Sequence, residues 1–211
     1  MKRRLSRTTV IAAVTLLLVA VATPAQAADP DNLTPTANYN RVYCENQTLA
    51  TSSIVCQTDN GAISVYMQSS VSAYLEGRIR DSLDNSYDPI SSISVSYPNT
   101  PVYSGSGETD IIYQMGALSS PYVGMYWCND AVDSDFYACD QGYVRITTSS
   151  GYHRRSLACH ETGHAVGLLH GGSADPVVSN SDPRLGCMHT PFNADRYTLG
   201  SNNVAQINAT Y

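Results

Sequence analysis

The chain has almost no lysine. Lys2 is its only one, grouped with Arg3, Arg4 and Arg7, and the other 8 arginines are scattered among 18 acidic residues that all lie beyond residue 27. The part after residue 27 therefore carries about −10, from those 18 acidic residues against 8 arginines. A nucleic-acid-binding surface needs clustered cations, so no nucleic-acid partner is expected. The longest apolar run, Val10 to Ala22, falls well short of the ~20 residues that cross a bilayer. There is no Cys-x-x-Cys pair, which argues against a zinc–cysteine module. Internal repeats and low-complexity tracts are missing too. Histidine is scarce at 5 of 211 residues, yet three of the five fall in one short stretch, "ACHETGHAVGLLHGG" at 158–172.

The N-terminus has a basic start, a short apolar core and the small-residue triplet Ala25-Gln26-Ala27. That pattern predicts a secretory signal peptide over 1–27, a secreted, extracellular protein, and no membrane association after cleavage. Residues 28–60 are rich in Asn, Thr, Asp and Ser without periodicity, and read as an irregular N-terminal segment or a short propeptide. Residues 61–211 are long enough for one domain with its own core. All six cysteines, Cys44, Cys56, Cys128, Cys139, Cys159 and Cys187, lie in the exported part, where an even count implies disulfides. Spacing suggests Cys44–Cys56 and Cys128–Cys139 as local loops, among 15 formal pairings.

"AISVYM" (62–67) and "SSISVSY" (91–97) alternate as strands do. Between them Val71, Tyr74, Leu75, Ile79 and Leu83 recur at helical intervals. "TDIIYQM" (109–115), "VGMYWC" (123–128) and "YVRITT" (143–148) are further strands. "CNDAVDSDFYACDQG" reads as an acidic loop in which Asp130, Asp133, Asp135 and Asp140 are candidate oxygen ligands for calcium, with a plain solvated loop as the alternative. A second long helix begins near Arg154, and "LGSNNVAQINATY" predicts a C-terminal one. The order gives an α/β (α+β) domain with a twisted sheet and two principal helices.

His160 and His164 are four apart, so on a helix both rings leave one face, one turn above the other. That spacing suits two nitrogens on one zinc, and Glu161 on the neighbouring flank can reach a water there without being a ligand. His170 follows Gly167. On a continuous helix it would lie about 80° away and nearly three turns on. A glycine can take positive φ, stop the helix and let the chain double back, so that His170 approaches from the far side. The two intervals thus set three nitrogens at three corners of a tetrahedron and leave the fourth to water. His-Glu-x-x-His-x-x-Gly-x-x-His arises by chance on the order of once in several hundred thousand chains of this composition, which makes it a strong zinc-site signal.

With that motif, and with Met188 in "GCMHTP" (186–191), the sequence resembles a metzincin zinc metalloprotease, closest to matrixins and to the small secreted snapalysins. "TDIIYQM" is similar to a matrixin strand that opens "ADI", and "LGSNNVAQINATY" to the matrixin C-terminal helix. The likeness runs from about residue 62 to 211 and is sharp over 158–170, 186–191 and 199–211. It implies a twisted, mostly parallel sheet with an antiparallel edge strand, two long helices and a C-terminal helix, and a Met-turn at Met188. It further implies Zn2+ on His160, His164 and His170, and peptide hydrolysis through a zinc-bound water with Glu161 as general base. The substrate, a protein or peptide, would lie antiparallel to an edge strand, here "VGMYWC". A monomer is expected. Cys159 and Cys187 precede His160 and Met188, and metzincins stack those segments, so the resemblance places a disulfide between them.

The chain departs from relatives of that clan in three places. Snapalysins usually have aspartate as third ligand where this chain has His170, Thr190 replaces the zinc-binding tyrosine of astacins, and the matrixin prodomain cysteine motif is missing. His153, His189 and Tyr197 read as packing or surface residues rather than subsite residues. The Pro191-Phe192 pair is a candidate for the pocket beyond the scissile bond. The competing class is a non-catalytic, zinc-stabilised extracellular binding module, in which a fourth protein ligand such as Asp175 or His189 closes the site.

Overall fold

The computed structural model describes residues 28–39, 43–52, 54–105, 107–133 and 135–211, so the expected signal peptide, 1–27, lies outside the described residues. The strands are β1 (Gln57–Thr58), β2 (Ala62–Met67), β3 (Ser94–Ser96), β4 (Ile111–Met115), β5 (Gly124–Ala131) and β6 (Ala138–Ile146). Three helices, α1 (Ala73–Ser86), α2 (Arg155–Ala165) and α3 (Ser201–Thr210), are joined by short 3-10 turns at Gly171–Ser173 and Pro183–Met188.

The sheet order is β3-β2-β4-β6, with β1 continuing the β4 side of β6 and β5 on the opposite edge. Every pairing is parallel except that of β5 with β6, whose register sets Tyr126 against Val144. This is the mixed α/β architecture expected: a mostly parallel sheet with one antiparallel edge strand and few helices. None of the helices among the described residues is long and apolar enough to cross a membrane.

Local chemistry accounts for the elements. Ser72 caps α1, its hydroxyl accepting from the Leu75 amide at 3.3 Å. Leu75, Ile79 and Leu83 follow at intervals of four and are fully buried, each contributing about 1.5–3 kcal/mol. Tyr74, counted with that stripe in the sequence, sits about 100° off it and is exposed, against the Arg78 guanidinium. On the sheet, Ile63, Val65, Ile111, Tyr113, Val144 and Ile146 alternate onto the helix-facing side and complete the core with α1 and α2.

One sequence expectation is corrected. The stretch 128–142, read as an acidic loop, is mostly ladder, because β5 runs on to Ala131 and β6 begins at Ala138. Asn129 and Asp130 broke the apolar alternation, while the Cys128–Cys139 disulfide joins the two strands directly. The described part of segment 28–60 packs into the domain. Asn32, Leu33 and Thr34 are buried, and Gln57–Thr58 forms a strand in the sheet.

Candidate metal centre

Helix α2 carries His160, Glu161 and His164, and it ends where the glycine predicts. Gly167 has φ 90°, the Leu168 amide donates back to the Gly163 carbonyl at 2.7 Å, and the Gly167 amide donates to His164 at 3.1 Å. These are the two bonds of a Schellman stop, which a residue with a Cβ adopts only under strain. The turn then serves the site itself, since the Leu168 carbonyl accepts from Nδ1 of His164 at 2.8 Å.

Beyond the turn the chain is held from outside. Leu169 and Asn32 exchange two bonds, the Leu169 amide to the Asn32 carbonyl and the Asn32 side-chain amide to the Leu169 carbonyl, each 2.7 Å. The Thr34 amide reaches the Gly167 carbonyl at 2.9 Å, and Asp31 pairs with Asp175. Asn32 is in turn fixed by the Asn203 amide of α3 at 2.6 Å. This N-terminal strap sets the position of His170. Sequence reasoning missed it, because nothing in an isolated Asn-Leu-Thr marks a partner so remote.

The three histidines come together. Nε2 of His160 lies 3.1 Å from Nε2 of both His164 and His170. Nδ1 of His160 faces the Cys187 carbonyl at 2.8 Å, as Nδ1 of His164 faces Leu168. A carbonyl only accepts, so both Nδ1 atoms carry the hydrogen and both Nε2 atoms present lone pairs. Burial lowers the affinity of all three rings for a second proton, taking His160 to about 3, with His170 adding to the effect. Lone pairs 3.1 Å apart repel unless a cation lies between them. Nitrogens about 2.0–2.1 Å from one tetrahedral zinc stand about 3.3 Å apart, so this donor set fits that ion. Among the described residues, no fourth His, Cys, Asp or Glu joins the group. Asp175 pairs with Asp31 through its backbone, and His189 contacts the Pro191 carbonyl.

Glu161 is 4 % exposed, and burial pushes its carboxyl up to about 8. It lies against the start of β5, where only a glycine leaves room. A Cβ on Gly124 would overlap the Glu161 carboxylate. Both residues line a cleft of about 960 Å³. Pro191 and Phe192 line it as well, whereas His153, His189 and Tyr197 do not. His153 is buried with Nε2 against the Thr147 carbonyl, and Tyr197 stacks on Arg155.

Met188 is fully buried beneath α2, its sulfur occupying the space that a Cβ on Gly163 would need. Cys159 and Cys187 form a disulfide that ties α2 to this turn, and the spacing-based pairs Cys44–Cys56 and Cys128–Cys139 are the other two. Two buried tyrosines brace the helix from below. Tyr87 donates to the Cys159 carbonyl at 2.6 Å, while the Tyr113 hydroxyl meets Thr162 Oγ1 at 2.6 Å and the Ala158 carbonyl at 3.2 Å. Calcium finds no support. Asp130 lies on β5 and Asp140 on β6, Asp135 caps its own turn by accepting from the Tyr137 amide, and no three carboxylates converge among the described residues.

No protein-family profile matches the sequence, and no curated protein matches it. Among solved structures the fold is similar to a zinc protease. High choriolytic enzyme 1, a hatching-enzyme zinc-protease from the medaka Oryzias latipes, matches with a TM-score of 0.44 at 10 % identity over 81 % of this chain and 98 % of that one. Myroilysin matches with a TM-score of 0.34 at 15 % identity over 61 % of this chain and 51 % of that one. At these scores the likenesses add nothing to the chemistry that the side chains carry by themselves.

Proposed function

We propose that this chain is a secreted zinc-dependent endopeptidase of metzincin type, its catalytic domain spanning 61–211 after a signal peptide over 1–27. The observation that carries the reading is the convergence of three Nε2 atoms, with the Nδ1 hydrogens of His160 and His164 already given to carbonyls. His160, His164 and His170 would hold the ion. Zinc there supplies a Lewis acid for a carbonyl oxygen and lowers the pKa of water toward about 7.

The remaining work falls to the chain. Glu161, raised by burial alone, is drawn back toward its ionised form by a cation among the neighbouring imidazoles. As a carboxylate it takes a proton from the attacking water and passes it to the leaving amine. Gly124 lets the edge of β5 approach this carboxylate, so a peptide paired along β5 brings its scissile bond to it. Met188 and the Cys159–Cys187 bond keep the ligand helix at fixed height. Three disulfides among the described residues suit an oxidising, extracellular setting.

The test is casein digestion by the purified mature chain with and without a chelator, alongside Glu161→Gln. Digestion should depend on the metal, and the variant should lose it while keeping one zinc per chain. A Glu161→Gln enzyme with undiminished turnover removes the proposed general base.

A further inference from the structure

We infer that the Cys44–Cys56 loop acts as a stop at one end of the cleft and limits productive pairing to three substrate residues on the amino side of the scissile bond. This rests on the endopeptidase reading above, with substrate antiparallel to β5.

The argument starts from the ladder. Thr147 donates to the Val123 carbonyl at 2.9 Å, in line with the β5–β6 register. In an antiparallel pair the bonding direction alternates along each strand. Val123, Met125 and Trp127 therefore bond toward β6, and Gly124, Tyr126 and Cys128 turn their amides and carbonyls to the outer edge. A peptide that adds a strand there pairs one residue with Gly124 and the next but one with Tyr126. Gly124 marks the scissile end, because it abuts Glu161. A third pairing, farther toward the substrate's amino terminus, would need Cys128.

Cys128 is taken. Its carbonyl accepts from the Gln47 amide at 2.7 Å, and the Ala131 amide donates to Asn46 Oδ1 at 2.7 Å, so the loop occupies the edge from Cys128 onward. The stop is firmly built. Gln47 is buried, its side chain bonds both the amide and the carbonyl of Ile54, and the disulfide closes the base. The Cys44 amide is anchored on the Phe136 carbonyl, and the Ser52 hydroxyl lies 2.9 Å from the Met125 sulfur. Ser52, Ile54 and Val55 then line the cleft beside Gly124 and Met125. Two pairings with one residue between them span three substrate residues, and the loop stands where a fourth and fifth would continue the ladder.

The zinc-loaded enzyme is given peptides with one scissile bond, a constant carboxyl side, and an amino side lengthened from one residue to six. Remote contacts normally raise kcat/KM as a substrate is extended. Here kcat/KM should climb to the third residue and then stay within about twofold through the sixth. A continued climb through the fifth and sixth residues overturns the inference. In Asn46→Ala/Gln47→Pro the edge is released, and a five-residue amino side should gain at least about threefold over a three-residue one. A variant that cuts the three-residue peptide as the wild type does, without that gain, also refutes the loop's role. Should the variant not fold, the wild-type series decides alone. Failure of the zinc-loaded enzyme to cut any peptide would instead strike the endopeptidase reading, a distinguishable outcome.

Discussion

Breaking the Cys159–Cys187 bond separates its two roles, in stability and in metal binding. The bond closes a 28-residue loop, while Cys44–Cys56 closes 12 residues. The chain-entropy relation gives about 3.6 kcal/mol for the former and about 2.8 kcal/mol for the latter at 25 °C. Against a domain stability of about 5–15 kcal/mol, either loss leaves a folded protein to study. Only the first bond adjoins the candidate metal centre, because the Cys187 carbonyl fixes the His160 ring. That carbonyl survives in Cys159→Ala/Cys187→Ala but is no longer tethered to α2. Loosening such an outer partner weakens metal binding about 10-fold or more. The comparison is urea unfolding of both double variants with the metal removed, since bound zinc would add its own stabilisation, together with zinc titration against a competing chelator. Cys44→Ala/Cys56→Ala should lose stability and keep its zinc affinity. Equal zinc affinity in the two variants would refute the claim that the disulfide orients the ligand ring.

Three further outcomes follow from the site. Gly124→Ala forces a methyl group onto Glu161, so kcat on a peptide should fall about 100-fold with zinc content unchanged; a kcat within twofold of wild type would contradict the contact. Metal-free protein should be most stable near pH 6.5. Below that, the unfolded chain binds protons that the buried histidines refuse, costing about 1.4 kcal/mol per pH unit for His160 alone until its own value near 3 is reached. From that maximum up to about pH 8 the folded chain keeps the Glu161 proton that the unfolded chain has already lost, so stability falls again and levels off above about 8, and thermal melts should show Glu161→Gln abolishing this alkaline fall. Tyr113→Phe removes a buried hydroxyl from Thr162 and Ala158 and should cost about 1–3 kcal/mol in urea unfolding.

The histidine group was legible in the sequence because the four-residue interval and the glycine encode geometry locally, and α2 with its stop follows from residues 155–168 alone. Helix α1 was legible for the same reason, through Leu75, Ile79 and Leu83. The extent of β5 and β6 was not, since Asn129 and Asp130 face away from any apolar core and their pairing is decided by the partner strand. Asn32, Gln47, Tyr87 and Tyr113 were illegible for a stronger reason. Each acts through a carbonyl or amide far along the chain, and no periodicity records such a bond.

The strap built on Asn32 also fixes an order of events. Its bond to Asn203 spans 171 residues, and its bonds to Leu169 span 137. Contacts of such separation form late, after intervening loops have closed. The support beside His170 is therefore incomplete until both the N-terminal strap and α3 have docked. The part of the fold that seats the third histidine is thus completed last, from the two ends of the domain at once.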